Sequence, residues 1–410
     1  MSSRHVTVPP HYEGPTLLVS VTGSDRPGIS ASIFDALRAF HIDVLDVEQA
    51  VLRGQLNLAI LVGLDNPDEE RRIEDAVANV CVHLGLRVMC TPGHGDTPSP
   101  RTGRVIVTML GHPLNPAQVA AVTSTIRAGG GNIDRIRRLS HWPVTTLQLN
   151  VSGATAGELT HSLAQVSVEH AVDVAVSAAG LARRGQRLVV MDVDSTLITG
   201  EVIEMLATHA GSYDAVAGIT ERAMRGEIDF TESLHARVAT LAGLDAEVLA
   251  TVRDEIQLTP GARTLCRTLT ELGFSVALVS GGFLEIVGPL GDDVGAKYVR
   301  ANRLEIVDGR LTGRVLGPVI DRAAKAGALR EFAASEGLPL ERTVAVGDGA
   351  NDLEMLATAG FGIAFNAKPV VAAQADTAVS VPYLDSVLYL LGISAEDVAE
   401  AADASSTGRT

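Results

Sequence analysis

The sequence is poor in aromatic residues, in cysteine and in positive charge, and each shortage excludes something. Aromatic residues make up 3% of the 410 positions, while hydrophobic residues make up 46%. Sizeable cores are expected, built from Ala, Val, Leu and Ile. Lys and Arg number 33 against 49 Asp and Glu, a net charge of −16. Nucleic-acid binding rests on basic side chains neutralising phosphates, so this balance argues against a nucleic-acid partner. The three cysteines, Cys81, Cys90 and Cys266, are odd in number and lack C-x-x-C spacing. That argues against a disulfide framework or a zinc site. No apolar run reaches 18 residues and residues 1–10 carry no signal-peptide core, so no membrane partner is expected and the cytoplasm is the default location.

At this length two to four domains are expected. Residues 1–13 read as a polar tail. From 14 to 96 the pattern is βαββαβ: a strand at Leu17–Val21, an amphipathic helix at Ile29–Phe40, two strand-like runs near Val44–Leu52 and Leu56–Val62, a helix from about Asp68 to Gly85 and a short strand at Arg87–Cys90. A Pro/Gly-rich linker follows at 91–103. The pattern then restarts: Val105–Gly111 aligns with Leu17–Gly23 at a shift of 88, and Asn132–Asp134 with His41–Asp43 at a shift of 91. This internal duplication, spanning 104–178, fixes a second small domain.

After a second linker at about 179–186, the apolar run Val189-Val190-Met191 stops at Asp192-Val193-Asp194-Ser195-Thr196. A continuous apolar strand points to a parallel sheet, with the carboxylates just past its carboxyl end, where open α/β sheets place their ligands. Such a pair attracts a hard cation, and one member can attack phosphorus; a simple Asp-x-Asp turn is the alternative. About 75 residues of helical pattern follow, closed by Pro260-Gly261. Three further polar clusters lie downstream: Ser280-Gly281-Gly282 at the end of a strand, Lys325 early in a helix starting near Asp321, and Gly347-Asp348-Gly349-Ala350-Asn351-Asp352 after a strand. Residues 301–315 read as a hairpin turning at Asp308-Gly309. Residues 393–410 are small, polar and acidic and read as a disordered tail.

In this order the four clusters resemble the motifs of the haloacid dehalogenase-like phosphohydrolase superfamily, over residues 187–392. Finer matches, namely Glu201, Met224–Phe230, Ser233-Leu234-x-x-Arg237-Val238, Ala301-Asn302-Arg303-Leu304 and Asp308-Gly309-x-Leu311-Thr312-Gly313, look like the phosphoserine phosphatases. The duplicated modules resemble ACT domains, in the arrangement of mycobacterial members of that family. The resemblance implies an α/β fold: a Rossmann-like domain with a parallel sheet, helices on both faces and a helical cap insertion at about 200–272, preceded by two ferredoxin-like ACT domains.

The resemblance further implies hydrolysis of O-phospho-L-serine to L-serine, the last step of serine biosynthesis, through an aspartyl-phosphate. Asp192 would be the nucleophile and Asp194 the proton carrier. Mg²⁺ would be held by Asp192, the backbone carbonyl of Asp194, and Asp348. Ser280, Gly281 and Lys325 would bind phosphate and Asn351 substrate, with Asp352 orienting Lys325 or a metal-bound water. Glu201 would meet the substrate ammonium and Arg237 its carboxylate. In the first ACT-like copy the turn Gly23, Asp25, Arg26, Pro27 and Gly28 would hold an amino-acid effector such as L-serine. The second copy has His112-Pro113-Leu114-Asn115-Pro116 there, which departs from the family turn. A homodimer is expected. The alternatives are a phosphatase or phosphotransferase for another small phosphomonoester, and an amino-acid-sensing protein with a dead hydrolase domain, from which loss of Asp192, Asp194 or Asp348 would be expected.

Overall fold

The computed structural model describes residues 12–95, 103–179, 185 and 188–407. Most of the expected 1–13 tail and the middle of both expected linkers lie outside these residues. The chain forms two units, residues 1–101 and 102–410.

The first unit has β1 (Pro15–Ser24), α1 (Ile29–Leu37), β2 (Ile42–Leu52), β3 (Gln55–Leu64), α2 (Glu70–Leu84) and β4 (Arg87–His94), in the expected βαββαβ order. Its antiparallel sheet runs β2-β3-β1-β4. Leu17, Val19 and Val21 alternate inward on β1 and pack with Ile33 of α1 and Val77 of α2. β4 continues past Cys90 into the expected linker, because Thr91–His94 keep pairing with Pro15–Leu18.

The second unit opens with the repeat: β5 (Arg104–Gly111), α3 (Pro116–Ala128), β6 (Asn132–Arg138), β7 (Thr145–Ser152), α4 (Ala156–His170) and β8 (Asp173–Ala178), with strand order β6-β7-β5-β8. A seven-stranded sheet follows, built from β9 (Leu188–Met191), β10 (Ser275–Phe283), β11 (Tyr298–Val307), β12 (Arg310–Leu316), β13 (Thr343–Gly347), β14 (Phe361–Phe365) and β15 (Thr377–Val379). Its order is β12-β11-β10-β9-β13-β14-β15. All neighbours are parallel except the β11–β12 hairpin. β9 is central and buried on both faces. Val189 and Met191 pack with Leu265 and Leu269 of α9 (Ala262–Glu271) and Ile286 of α10 (Leu284–Val294). Leu188 and Val190 pack with Leu329 of α11 (Arg322–Ser335) and Leu356 of α12 (Leu353–Thr358). That two-sided burial is why this strand reads as an unbroken apolar run.

Between β9 and α9 lie four cap helices: α5 (Val202–His209), α6 (Tyr213–Met224), α7 (Phe230–Ala239) and α8 (Val248–Glu255). The chain enters and leaves this insertion side by side, with Ile198 bridged to Leu258 and Thr259 N–H donating to Leu197 O at 2.9 Å. The cap therefore ends near 257. The expected limit of 272 took in α9, whose Leu265, Cys266 and Leu269 belong to the core under the sheet.

The expected disorder after residue 393 is also corrected, since Ala395–Thr407 forms a helix. Ser394 Oγ donates to Asp397 Oδ2 at 2.8 Å and accepts from Asp397 N–H at 3.3 Å, an N-terminal cap that an acidic composition obscures. Ala395 N–H also donates to Leu139 O of the second module at 2.7 Å. That module lies against the sheet edge at β15, where Leu110, Val144 and Ala175 join the catalytic core. No helix among the described residues is long and apolar enough to cross a membrane.

Candidate active site

Asp192 follows β9, at the carboxyl edge of the central strand. Its N–H donates to Val346 O of β13 at 2.9 Å, and its own Oδ1 accepts from Val193 N–H at 2.8 Å. The chain then folds into a tight turn in which Ser195 takes φ +57°, and Ser195 N–H donates to Gly200 O at 3.2 Å. Asp194 lies within this turn. Its Oδ1 accepts from Val202 N–H at 2.8 Å and its Oδ2 from Ser280 Oγ at 3.0 Å. The two carboxylates so occupy different environments, one facing the sheet edge and one facing the cap entrance and β10.

Lys325 is fully buried in the first turns of α11, which Asp321 caps by accepting from Ala324 N–H at 2.8 Å. Its Nζ lies 2.7 Å from Asp192 Oδ1 and 2.7 Å from Asp352 Oδ1. Asp352 also accepts from Gly349 N–H at 3.0 Å, folding the last motif back on itself. A side chain at position 347 would prevent this, since its Cβ would sit 2.5 Å from Asp352 Cγ. Asp348 accepts from Thr196 Oγ1 at 3.2 Å. Asp192, Asp348 and Asp352 each offer a carboxylate oxygen within 4.8 Å of one another. A set of carboxylate oxygens suits a hard divalent cation.

Burial governs the protonation of this site. It pushes Asp192 upward, together with the charge of Asp352, while Lys325 pulls the other way. Lys325 is itself held above its ordinary value by Asp192 and Asp352 despite the cost of burial. Burial raises Asp194 against the bonds from Val202 and Ser280, and raises Asp348 to about 6 with help from Asp352. Glu201 stands at the entrance to α5 and accepts from Ser195 Oγ at 2.9 Å. Burial and the Asp194 charge raise it to about 7. Burial lowers Arg237 on α7, while Glu201, Asp194 and Glu204 oppose the shift. Arg237 Nε donates to Ser233 O at 3.4 Å.

The structure thus brings together Asp192, Asp194, Ser280, Lys325, Asp348 and Asp352, with Glu201 and Arg237 facing the same charges from the cap. Gly281 lies under the cap: a Cβ there would sit 3.2 Å from Phe230 Cζ. Asn351 follows Gly349 in the folded last motif, and a Cβ on Gly349 would meet its Oδ1 at 2.1 Å. Sequence reasoning gave no task to Thr196 or Asn302. Asn302 is buried, donates to Gly281 O at 2.8 Å and accepts from Ile320 N–H at 2.8 Å, tying the Ser280 loop to the approach to α11. Its signal was present in the Ala301-Asn302-Arg303-Leu304 match, where a polar side chain interrupts a strand.

The two ACT-like turns differ physically. Gly28 starts α1 at φ +92° without a side-chain cap, and Arg26 reaches back to donate to Leu84 O. In the second copy Asn115 and Gln118 cap α3 reciprocally, at 3.0 and 2.9 Å, so its own side chains occupy that helix end.

Comparison with known proteins agrees with this domain order. Residues 189–357 match the haloacid dehalogenase-like hydrolases, and residues 15–91 and 103–177 match ACT domains. The chain is 55% identical to a phosphoserine phosphatase of Streptomyces coelicolor, over 95% of each chain. It is 50% identical to one of Mycobacterium tuberculosis, over 96% of this chain and 97% of that one. Among solved structures, a probable phosphoserine phosphatase from Vibrio cholerae, in unliganded form, superposes with a TM-score of 0.56 at 34% identity, covering 74% of this chain and 89% of that one. The chain belongs to the haloacid dehalogenase-like hydrolases, within the phosphoserine phosphatase family, and carries two ACT domains ahead of its catalytic domain.

Proposed function

We infer that the protein hydrolyses O-phospho-L-serine to L-serine and phosphate. The observation that carries this reading is the joint presence of a buried Asp192–Lys325–Asp352 cluster and, facing it from the cap, the Glu201 and Arg237 pair. Lys325 and Val193 N–H both bond Asp192 Oδ1, which leaves Oδ2 to attack phosphorus. The serine oxygen departs with a proton delivered by Asp194, whose pKa burial raises against the bonds from Val202 and Ser280. Asp194, now a carboxylate, takes a proton from water as that water attacks the aspartyl-phosphate, which frees Asp192 and phosphate. Ser280 and Gly281 receive phosphate oxygens, Lys325 offsets their charge, and Asn351 contacts the substrate. Asp192, Asp348 and the backbone carbonyl of Asp194 would hold Mg²⁺, with Asp352 kept for Lys325. When bound, the cation offsets the repulsion between a carboxylate and a phosphate dianion.

Glu201 pairs with the substrate ammonium and Arg237 with its carboxylate. The test is magnesium-dependent phosphate release from O-phospho-L-serine across a panel of phosphate esters. We expect phosphoserine to give the highest kcat/KM and Asp192→Asn to abolish turnover; a preference for another ester would overturn the assignment.

The uncapped start of α1 and the turn Gly23–Gly28 form an amino-acid site, with L-serine as effector. L-serine should alter the rate of the full chain in two components. Product competition should persist in Gly28→Val, and the effector component should vanish. A homodimer is part of the same reading, because edge strand β2 leaves Val44 and Val51 about half exposed (53% and 47%); sedimentation of the intact protein tests it.

A further inference from the structure

The Asp308–Gly313 stretch has no part in the chemistry above, yet it is where the core sheet meets the cap. β11 pairs with β10 in the core sheet through Asn302, and from Arg303 on it pairs with β12 as a hairpin whose ladder shifts register between Leu304 and Ile306. Asp308 and Gly309 turn it with φ +48° and +75°, as a two-residue hairpin loop requires. Beyond the sheet, β12 meets the cap segment after α7 through backbone bonds. Gly243 N–H donates to Leu311 O at 2.8 Å, Leu311 N–H to Leu244 O at 2.9 Å, and Ala246 N–H to Gly309 O at 2.8 Å. Arg310 Nη1 adds a bond to Gly243 O at 2.7 Å. The cap is thus fastened to the core here as well as where the chain enters and leaves it.

Gly313 sets how closely that fastening brings α7. It has φ +82°, and a Cβ there would sit 2.9 Å from Ala242 Cβ and 3.2 Å from Ala239 Cα. At the other end of the helix, Phe230 rests on Gly281 with equally little room, 3.2 Å from where a Cβ would lie. Helix α7 is therefore seated at both ends on glycines of the core: Gly281 in the phosphate loop and Gly313 in the hairpin. Arg237 sits two residues before Ala239, on the last turn of this helix.

We propose that Gly313 is a specificity-positioning residue: by letting the hairpin abut Ala239 and Ala242, it fixes where α7 presents Arg237 to the substrate carboxylate. A bulkier residue displaces the end of α7 next to Arg237 and leaves the phosphate site, built on β9, β10, α11 and β13, in place. The inference rests on the phosphoserine reading above.

The experiment compares O-phospho-L-serine with p-nitrophenyl phosphate, which lacks the amino-acid moiety, in the full-length protein. For Gly313→Ala we expect KM for phosphoserine to rise at least 10-fold, with both constants for p-nitrophenyl phosphate within 2-fold of wild type. In an Arg237→Ala background the same substitution should add less than 2-fold, because the side chain it misplaces is gone. Gly313→Ala/Ala242→Gly, which removes the nearest obstacle, should recover part of the lost KM. If Gly313→Ala does not fold, Arg310→Ala, which removes one bond of the fastening, should raise KM for phosphoserine 2- to 5-fold with the same selectivity. Equal losses on both substrates, or full additivity with Arg237→Ala, overturn the proposal and leave the phosphoserine reading standing. A wild-type enzyme without preference for phosphoserine overturns that reading first, and this inference with it.

Discussion

Lys325 Nζ stands 2.7 Å from Asp192 Oδ1 and 2.7 Å from Asp352 Oδ1, and Lys325 and Asp352 are fully buried. The ammonium is the positive charge that makes this density of buried carboxylates tolerable. Removing one member of a buried ionic set leaves the others uncompensated, at a cost of about 3–5 kcal/mol. Lys325→Met keeps most of the volume and removes the charge, so Tm should fall by several degrees and kcat/KM by on the order of 10³. A divalent cation held as proposed would neutralise one of the same carboxylates, Asp192, and Asp348 beside it. The rise in Tm on adding Mg²⁺ should therefore be larger in Lys325→Met than in wild type, read by thermal melts with and without the metal. Equal increments would mean that Lys325 and the cation do not share Asp192.

If Glu201 pairs with the substrate ammonium as proposed, it should carry the pH dependence of selectivity. Burial and the Asp194 charge raise it to about 7, against the bond from Ser195 Oγ. Below that value it is protonated and neutral, and it cannot pair with an ammonium group. In the free enzyme, kcat/KM for phosphoserine should therefore rise with pH through about 7. Glu201→Gln should remove that limb and lower the plateau by roughly 10- to 100-fold, the worth of a charge-assisted hydrogen bond. With p-nitrophenyl phosphate the two proteins should have pH profiles of the same shape. Magnesium should move the limb to lower pH, because a cation near Asp348 and Asp194 favours the ionised carboxylate. A limb that survives Glu201→Gln belongs to another group and sinks this assignment.

Much of this was legible in the sequence, for identifiable reasons. The parallel sheet announced itself through Val189–Met191, because a strand buried on both faces must be apolar at every position. The duplication was legible because each module repeats the same βαββαβ periodicity. What the sequence does not display depends on contacts across the chain. Thr196 bonds Asp348 across 152 positions, and Asn302 joins Gly281 to Ile320, 21 positions behind and 18 ahead. A polar residue interrupting a strand marks Asn302, but no local pattern encodes the partners of either residue. The expected cap limit of 272 is too long because α9 is amphipathic like the cap helices before it, and its packing under the sheet separates it from them. The final helix is hidden by a small, polar, acidic composition, which outweighs one short capping signal at Ser394 and Asp397.

Asp173, on β8 of the second ACT module, joins that module to the catalytic domain. Its Oδ2 accepts from Ser380 N–H at 2.7 Å and its Oδ1 from Ser380 Oγ at 2.8 Å, while Thr377 Oγ1 donates to Val174 O at 3.2 Å beside it. Burial raises the Asp173 pKa further than the Ser380 bonds lower it. The sign follows from linkage. An acid raised on folding favours the folded state fully below its unfolded pKa of about 3.9, and that contribution is lost as pH climbs through the raised folded value. Asp173→Asn is neutral throughout and can keep both contacts, with Oδ1 accepting from Ser380 N–H and Nδ2 donating to Ser380 Oγ. Its Tm relative to wild type should therefore increase from pH 4.5 to pH 8, where about 1 kcal/mol is legible as ~2–4 °C. Ser380→Ala should act in the opposite sense. It removes the hydroxyl from a buried carboxylate, at a cost of roughly 1–3 kcal/mol, and the ionised form suffers more, so the loss should deepen toward pH 8. Differential scanning calorimetry of the three proteins across that range reads both slopes. If Asp173→Asn lost stability at pH 8 instead, the carboxylate charge would be helping to hold the module in place, and burial could not be what governs this contact.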